Sequence, residues 1–188
     1  MPRDLALIAL LACLTAGPAC HAPMTADRHQ DPAPDAPTGD TLDATDDKAA
    51  IHAILDDLHA AAAAGDGPRY FDHYAPAAYG TAFLGTDAEE RWTLEQFRAY
   101  AEPYFDGVEA WTYTPLERNV ELAPAGSGRP DVAWFDELLT HAKYGTVRGS
   151  GVLVRMPDRW RLTQYVLSFT VPNDRAAAVV EAIRAGDD

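Results

Sequence analysis

The sequence predicts an α+β fold in which helices come first and then cover an antiparallel sheet. Three helical patterns fall between residues 47 and 105, and strand-like alternation fills most of residues 111–171. The two kinds of element change over at Gly107 and do not alternate along the chain. Segregation of this kind is typical of an antiparallel sheet with helices on one face.

The first helix is predicted to begin at Asp46 or Asp47, either of which can act as its N-cap. Apolar side chains then recur at helical spacing, at Ile51, Ile54, Leu55, Leu58 and Ala62. Residues 65–68 end this helix and start a short second one. Thr93 is predicted to cap a third helix, with Gln96 at the position that completes a capping box.

Four strands are predicted after the helices, at residues 111–122, 132–144, 146–156 and 160–171, and a closing helix at residues 175–184. Residues 78–86 also have an extended pattern. Gly149 and Gly151 lie inside the third of these strands, where glycine permits sheet curvature or close packing of a neighbour. No repeat of 20 to 50 residues recurs along the chain.

Composition excludes several classes of function. The 188 residues contain 29 Asp and Glu against 15 Lys and Arg, which gives a formal net charge of −14. Such a balance argues against nucleic-acid binding and against docking on anionic lipid through a basic face. Both cysteines precede residue 21, so the folded part has no cysteine nucleophile and no disulfide scaffold.

The N-terminus is predicted to be an export signal. A charged tip is followed by an apolar run that begins at Leu5 and is too short to span a bilayer as a helix. Cys13 and Cys20 each follow a small residue and resemble the lipidated cysteine of a bacterial lipobox. We therefore expect an exported cell-envelope lipoprotein, attached to the membrane by its lipid alone. A cleaved secretory peptide and a cytoplasmic protein with an apolar start are the alternatives.

Three segments follow from these patterns: a signal peptide at 1–20, a tether at 21–46 and a folded domain at 47–188. The tether is rich in proline and aspartate and contains almost no large apolar side chain. A segment of this composition cannot bury enough surface to offset the entropy lost on ordering, so we expect it to be extended and disordered.

Several motifs resemble the SnoaL-like members of the nuclear transport factor 2-like (NTF2-like) superfamily. The similar stretches cover residues 83–87, 133–137, 148–153, 160–165 and 167–173, within a match from about 47 to 185. The resemblance implies a cone, in which three helices cover a strongly curved antiparallel sheet and leave a cavity open at one end. The family includes isomerases, cyclases, dehydratases and oligomerisation modules, so fold alone does not select a function.

Alternation along the strands selects the candidate site. Polar side chains occupy otherwise apolar positions at mid-strand, and burial of such groups is costly unless they are paired. We predict a ligand cavity with Asp136 as general base, lined by Tyr70, Trp92, Trp134, Arg148 and Gln164. The alternative is an Asp136–Arg148 ion pair on the outer face or in a dimer interface. Asp136 and Glu137 point to opposite faces, so only one of them can serve a pocket.

Histidines contribute little to the predicted site. His52 and His59 are expected to face solvent on the first helix, and His73 is the one histidine considered for the pocket. No sequence pattern indicates a metal or a cofactor, and we expect neither.

Three functions remain open at this point: binding of a small, mostly apolar molecule, an isomerase, cyclase or dehydratase reaction, and a structural homodimer in the cell envelope. The first is preferred.

Overall fold

The computed structural model describes residues 40–105, 111–125 and 128–186. The predicted signal peptide, both candidate lipidation sites and most of the predicted tether lie outside these ranges. In the described part, no helix is long and apolar enough to cross a membrane.

Four helices and six strands form the described domain. The helices are α1 (Asp40–Ala63), α2 (Gly67–Asp72), α3 (Leu94–Phe105) and α4 (Ala176–Gly186). The strands are β1 (Ala82–Leu84), β2 (Arg91–Thr93), β3 (Thr114–Leu122), β4 (Val132–His141), β5 (Gly145–Arg155) and β6 (Trp160–Phe169). Short 3₁₀ turns occupy Ala77–Tyr79 and Asn173–Arg175. The predicted α+β class is confirmed.

The strands form one curved sheet in the order β2-β1-β6-β5-β4-β3. All neighbouring pairs are antiparallel except β1 and β6, which run parallel with Phe83 opposite Tyr165. The predicted antiparallel sheet is present in β3–β6, and β1 and β2 extend it at its β6 edge through one parallel pairing. In a strand of three residues, the alternation of apolar and polar side chains is too short to indicate which strand it pairs with.

The start of α3 has the predicted capping box. The Gln96 backbone N–H donates to Thr93 Oγ1 at 3.3 Å, and the Thr93 N–H donates to Gln96 Oε1 at 2.9 Å. Two backbone donors that the helix leaves unpaired are thus satisfied by side chains.

The helices cover one face of the sheet, here called the inner face. On β4 this face carries Phe135, Glu137 and Leu139, and the α1 side chains Leu55 and Leu58 are buried with them. The pairing of β5 with β6 shifts register between Val152 and Leu153. Because of this bulge, the inner face of β6 carries both Leu162 and Tyr165, which simple alternation would place on opposite faces.

Asp47 anchors α1 to the sheet. The helix begins at Asp40, so Asp47 lies within it and is not the predicted N-cap, and part of the predicted tether is helical. The Asp47 carboxylate is 3% exposed and accepts hydrogen bonds from Arg155, from Arg129 Nη2 at 2.8 Å and from Trp160 Nε1 at 3.4 Å.

These contacts predict a pH-dependent contribution of Asp47 to stability. Burial raises the pKa of Asp47, but the hydrogen bonds from Arg155 and Trp160 and the arginine charges outweigh it, so the pKa is lowered. A lowered folded-state pKa stabilises the fold above the unfolded value of 3.8, and the contribution is lost as the pH falls through the folded value.

We expect Asp47→Asn to reduce the free energy of unfolding by about 2 kcal/mol at pH 7, and by less at pH 3, in urea titrations. Asp46→Asn, at the exposed neighbouring position, is the control and should change the free energy by less than about 0.5 kcal/mol. Equal effects of the two substitutions would show that Asp47 does not anchor the helix.

Candidate functional site

A cavity of about 330 Å³ lies between the helices and the inner face of the sheet. Its volume is at the lower end of the range of about 300–1,000 Å³ that is usual for small-molecule sites. Most of its described lining is aromatic: Tyr70, Phe83, Trp92, Phe97, Tyr100, Tyr104, Trp111, Tyr113, Tyr144 and Tyr165. The wall thus offers flat apolar surface with hydroxyl groups at intervals.

Helical and strand spacing together build this aromatic wall. Phe97, Tyr100 and Tyr104 follow one another by three and four residues, so α3 presents them on one side. The Phe83 ring of β1 stacks on Phe97 at a centroid distance of 4.0 Å and lies parallel to the Tyr165 ring at 5.7 Å. Rings from α3, β1 and β6 therefore form one continuous stack.

Glu137 lies fully buried on the inner face of β4, immediately behind the cavity wall. One carboxylate oxygen is 2.8 Å from His59 Nε2 and accepts a hydrogen bond from the Tyr165 hydroxyl at 3.0 Å. The other oxygen accepts from Arg118 Nε at 2.8 Å. Its three partners come from α1, β6 and β3, so this single carboxylate joins three elements.

The surroundings keep Glu137 ionised. Burial raises the pKa of Glu137, but the hydrogen bond from His59 and the charge and hydrogen bond of Arg118 outweigh it, and the pKa is lowered. Burial also raises the pKa of Tyr165 well above its usual value, with the negative charge of Glu137 acting in the same direction. The Tyr165 hydroxyl therefore stays protonated and donates to the carboxylate.

An ionised Glu137 determines the tautomer of His59. A carboxylate can only accept hydrogen bonds, so the His59 nitrogen that faces it, Nε2, must carry a proton. His59 lines the cavity, and its other ring nitrogen, Nδ1, has no hydrogen-bond partner among the described residues. In the neutral ring Nδ1 is thus a proton acceptor, oriented by a buried carboxylate as in histidine–carboxylate pairs of hydrolases.

Arg118 balances the charge of Glu137 and ties β3 to α1. Its side chain is 6% exposed, and Nη1 donates to Asp56 Oδ1 at 2.7 Å and to the His52 carbonyl at 3.2 Å. A buried carboxylate without such a partner would cost several kcal/mol.

Gly149 makes the contact between Tyr165 and Glu137 geometrically feasible. A Cβ at position 149 would overlap the Tyr165 hydroxyl and come within 3.0 Å of the Glu137 side chain. The close-packing interpretation of the strand glycines is confirmed at this position.

Four of the predicted site residues lie on the wrong face of the sheet. Trp134, Asp136, Arg148 and Gln164 point away from the cavity, and Trp134 is 46% exposed. Asp136 accepts a hydrogen bond from Asn119 Nδ2 at 3.4 Å, and no ion pair joins it to Arg148 in the described part. The prediction that Asp136 is a base in the cavity is therefore wrong.

The error has two physical causes. Alternation shows which residues of a strand share a face, but it does not show which face turns inward. The polar side chains at mid-strand favoured the face of Asp136, whereas the inner face carries its neighbour Glu137. For Gln164 there is a second cause. The bulge in β6 changes which residues of this strand face inward, and the sequence pattern does not show the bulge.

The other predicted site residues and the histidines differ in their relation to the cavity. Tyr70 and Trp92 line the cavity, and their role in ligand binding stays a prediction. His59 is 8% exposed, so the prediction that it faces solvent is wrong. Its position four residues after Leu55, on the apolar side of α1, was the available signal. His73 lies outside the cavity lining and contacts Asp57 through Nε2 at 2.8 Å.

In the described ranges, no group of three or more His, Cys, Asp or Glu side chains is placed to hold a metal ion.

Several solved structures have a fold similar to that of this chain. A putative dehydratase of the NTF2-like family from Streptomyces avermitilis has a TM-score of 0.57 at 13% identity, covering 69% of this chain and 99% of that one. A putative scytalone dehydratase from Novosphingobium aromaticivorans has a TM-score of 0.56 at 8% identity, covering 70% and 89%. An NTF2-like protein of unknown function from Pseudomonas putida has a TM-score of 0.54 at 13% identity, covering 69% and 91%.

Sequence comparison points to the same group. No curated protein matches the chain. The family model for the SnoaL-like domain matches residues 51–172, a range that includes the second half of α1, all of α2 and α3 and all six strands. It also includes Glu137 and its partners His59, Arg118 and Tyr165, here called the Glu137 cluster. This chain belongs to the SnoaL-like domain family, within the NTF2-like fold.

Proposed function

We propose that the domain binds a small, mostly apolar, planar molecule in the cavity between its helices and its sheet. The observation that carries this proposal is the aromatic lining around a space of about 330 Å³, with the imidazole of His59 set into its wall. Aromatic rings bind flat apolar surfaces through their faces and edges, while a few polar groups select the orientation.

The polar groups at the wall determine which hydrogen-bonding group the ligand must carry. His59 Nδ1 accepts a hydrogen bond in the neutral ring, since Nε2 is committed to Glu137. A hydroxyl group or an acidic C–H group of the ligand is the matching donor. The ligand class that fits is therefore a small aromatic or polycyclic molecule with one such donor.

Acid–base catalysis is the second candidate, favoured by the pairing of His59 with Glu137. A base that removes a proton becomes an imidazolium, and a buried carboxylate at 2.8 Å stabilises that charge. In this arrangement His59 would take the proton at Nδ1 and return it to another atom of the ligand. Isomerisation, cyclisation and dehydration all need such a transfer, and two structural neighbours are named as putative dehydratases.

We further propose export and lipid anchoring through Cys13 or Cys20, supported by the apolar N-terminal run of the sequence. Labelling with radioactive palmitate in a bacterial host should give a labelled chain that Cys20→Ala or Cys13→Ala abolishes. A full-length chain that stays unlabelled and retains its N-terminal methionine would contradict the proposal.

Blocking the cavity should abolish binding of a model ligand. We expect 4-tert-butylphenol to bind with a Kd in the high micromolar range by isothermal titration calorimetry, a weak affinity suited to its size. Leu167→Trp places a large ring in the cavity lining and should weaken binding at least about tenfold.

The matched control for this blocking variant is Val166→Trp, which adds the same ring to the outer face of the same strand. It should leave the Kd within about twofold. Equal losses in both variants, with the fold verified by circular dichroism, would show that the phenol does not bind in the cavity.

The Glu137 cluster predicts a second pair of variants. Because the folded pKa of Glu137 is lowered, its stabilising contribution is complete above the unfolded pKa of 4.5 and is lost as the pH falls through the folded value. Glu137→Gln removes the buried charged partner of Arg118, which keeps only the exposed Asp56, and should lower the free energy of unfolding by about 3 kcal/mol at pH 7.

Asp136→Asn serves as control, since it removes the neighbouring carboxylate from the outer face, and should cost less than about 0.5 kcal/mol. Urea titrations at pH 7 and pH 3 compare the two, and the difference between them should shrink at the lower pH. A larger loss in Asp136→Asn would refute the placement of the two carboxylates.

A further inference from the structure

The cavity opens to solvent between two aromatic walls. Tyr100 and Tyr144 both line it and are 42% and 39% exposed, whereas Phe97 at its inner end is buried. One wall, the α3 wall, consists of Trp92, Tyr100, Tyr104 and Trp111. The other, the hairpin wall, consists of Tyr113, His141 and Tyr144, next to the β4–β5 turn. Both groups of rings thus line the same cavity, and each contains a tyrosine that reaches solvent.

Each wall is held together by its own ring contacts. In the α3 wall, the Tyr100 centroid lies 4.4 Å from that of Trp92 and 5.6 Å from that of Tyr104. In the hairpin wall, the His141 centroid lies 4.7 Å from that of Tyr113 and 4.8 Å from that of Tyr144. Rings packed in this way present stable surfaces to the space between them.

A carboxylate belongs to the same entrance. Glu90 lines the cavity, and its Oε2 accepts a hydrogen bond from the Asp87 backbone N–H at 3.1 Å, which holds the side chain in place. Burial raises the pKa of Tyr113 to about 12, and the nearby Tyr144 and the negative charge of Glu90 add to the shift. The negative charge of Glu90 therefore acts on the hairpin wall.

The hairpin wall already accommodates an ammonium group. Lys143 Nζ lies 5.0 Å from the centroid of the Tyr144 ring, within the range of a cation–π contact. Lys143 is exposed at the rim and forms no ion pair in the described part of the chain. Its long, flexible side chain can move out of the entrance when another cation binds.

We propose that the ligand carries a methylated ammonium group, which binds between the two walls beside Glu90 while its apolar body extends toward His59. This inference rests on the proposed function and adds the charge of the ligand to it. The ring faces and the carboxylate both attract positive charge, and a methylated ammonium loses little hydration when it enters.

Three para-substituted phenols of similar size separate charge from shape. They carry a trimethylammonium group, a tert-butyl group or a sulfonate group, and their affinities are measured by isothermal titration calorimetry at pH 7 and at physiological ionic strength. We expect 4-(trimethylammonio)phenol to bind about tenfold more tightly than 4-tert-butylphenol, and the sulfonate to bind more weakly than both.

Two variants test the role of the entrance: one removes a negative charge and the other removes a positive charge. Glu90→Gln keeps the size of the side chain and its hydrogen-bond acceptor, and should weaken binding of the cationic phenol about fivefold. Lys143→Met removes the competing ammonium and should strengthen it. For each variant the readout is the ratio of the Kd of the cationic phenol to that of 4-tert-butylphenol, which should rise in Glu90→Gln and fall in Lys143→Met.

The outcomes distinguish this inference from the proposed function. Equal affinities for the cationic and the neutral phenol would overturn the inference alone. A cationic phenol that binds equally well to Leu167→Trp would overturn it too, because a chain of net charge −14 attracts cations to its surface. If none of the three phenols binds, the proposed function fails together with the inference.

Discussion

The ionised, fully buried carboxylate of Glu137 is the constraint on which the inner wall of the domain depends. Moving a carboxylate out of water costs several kcal/mol, and attraction to a partner repays this only where the geometry is good. Here three donors repay it, from a helix and two strands, and the same donors are thereby held in place. His59, Arg118 and Tyr165 thus lie where their hydrogen bonds compensate the one buried charge of Glu137.

The cavity is a consequence of this arrangement and of the aromatic stack next to it. Tyr165 belongs to both, because its hydroxyl binds Glu137 while its ring lies parallel to that of Phe83. Gly149 leaves the space in which the hydroxyl reaches the carboxylate. A site built on strands and packed rings is organised before the ligand arrives, so little binding energy is lost in ordering it.

Sequence patterns predicted the fold better than the site. The periodicity of α1 and α3, the Thr93 capping box and the four long strands were all readable, because each is a local pattern with its own physical signal. The parallel pairing of β1 with β6 and the bulge in β6 were not readable, since both depend on contacts between distant segments.

For the site, the sequence showed that Asp136 and Glu137 point to opposite faces and that only one of them serves the cavity. The choice between them needed the position of the helices, which determines the buried side of the sheet. The partner His59 lies 78 residues away from Glu137, so no spacing within a motif connects the two. Its place on the apolar side of α1 was the only local signal of its burial.

The most direct test of this account is the ¹⁵N NMR spectrum of the His59 imidazole at a pH where the ring is neutral. We predict that Nε2 resonates as the protonated nitrogen and Nδ1 as the unprotonated one, with Nδ1 shifted when 4-tert-butylphenol is added. Protonation at Nδ1 in the neutral ring would contradict an ionised Glu137 behind the cavity wall, and with it the proposed orientation of His59 toward a ligand.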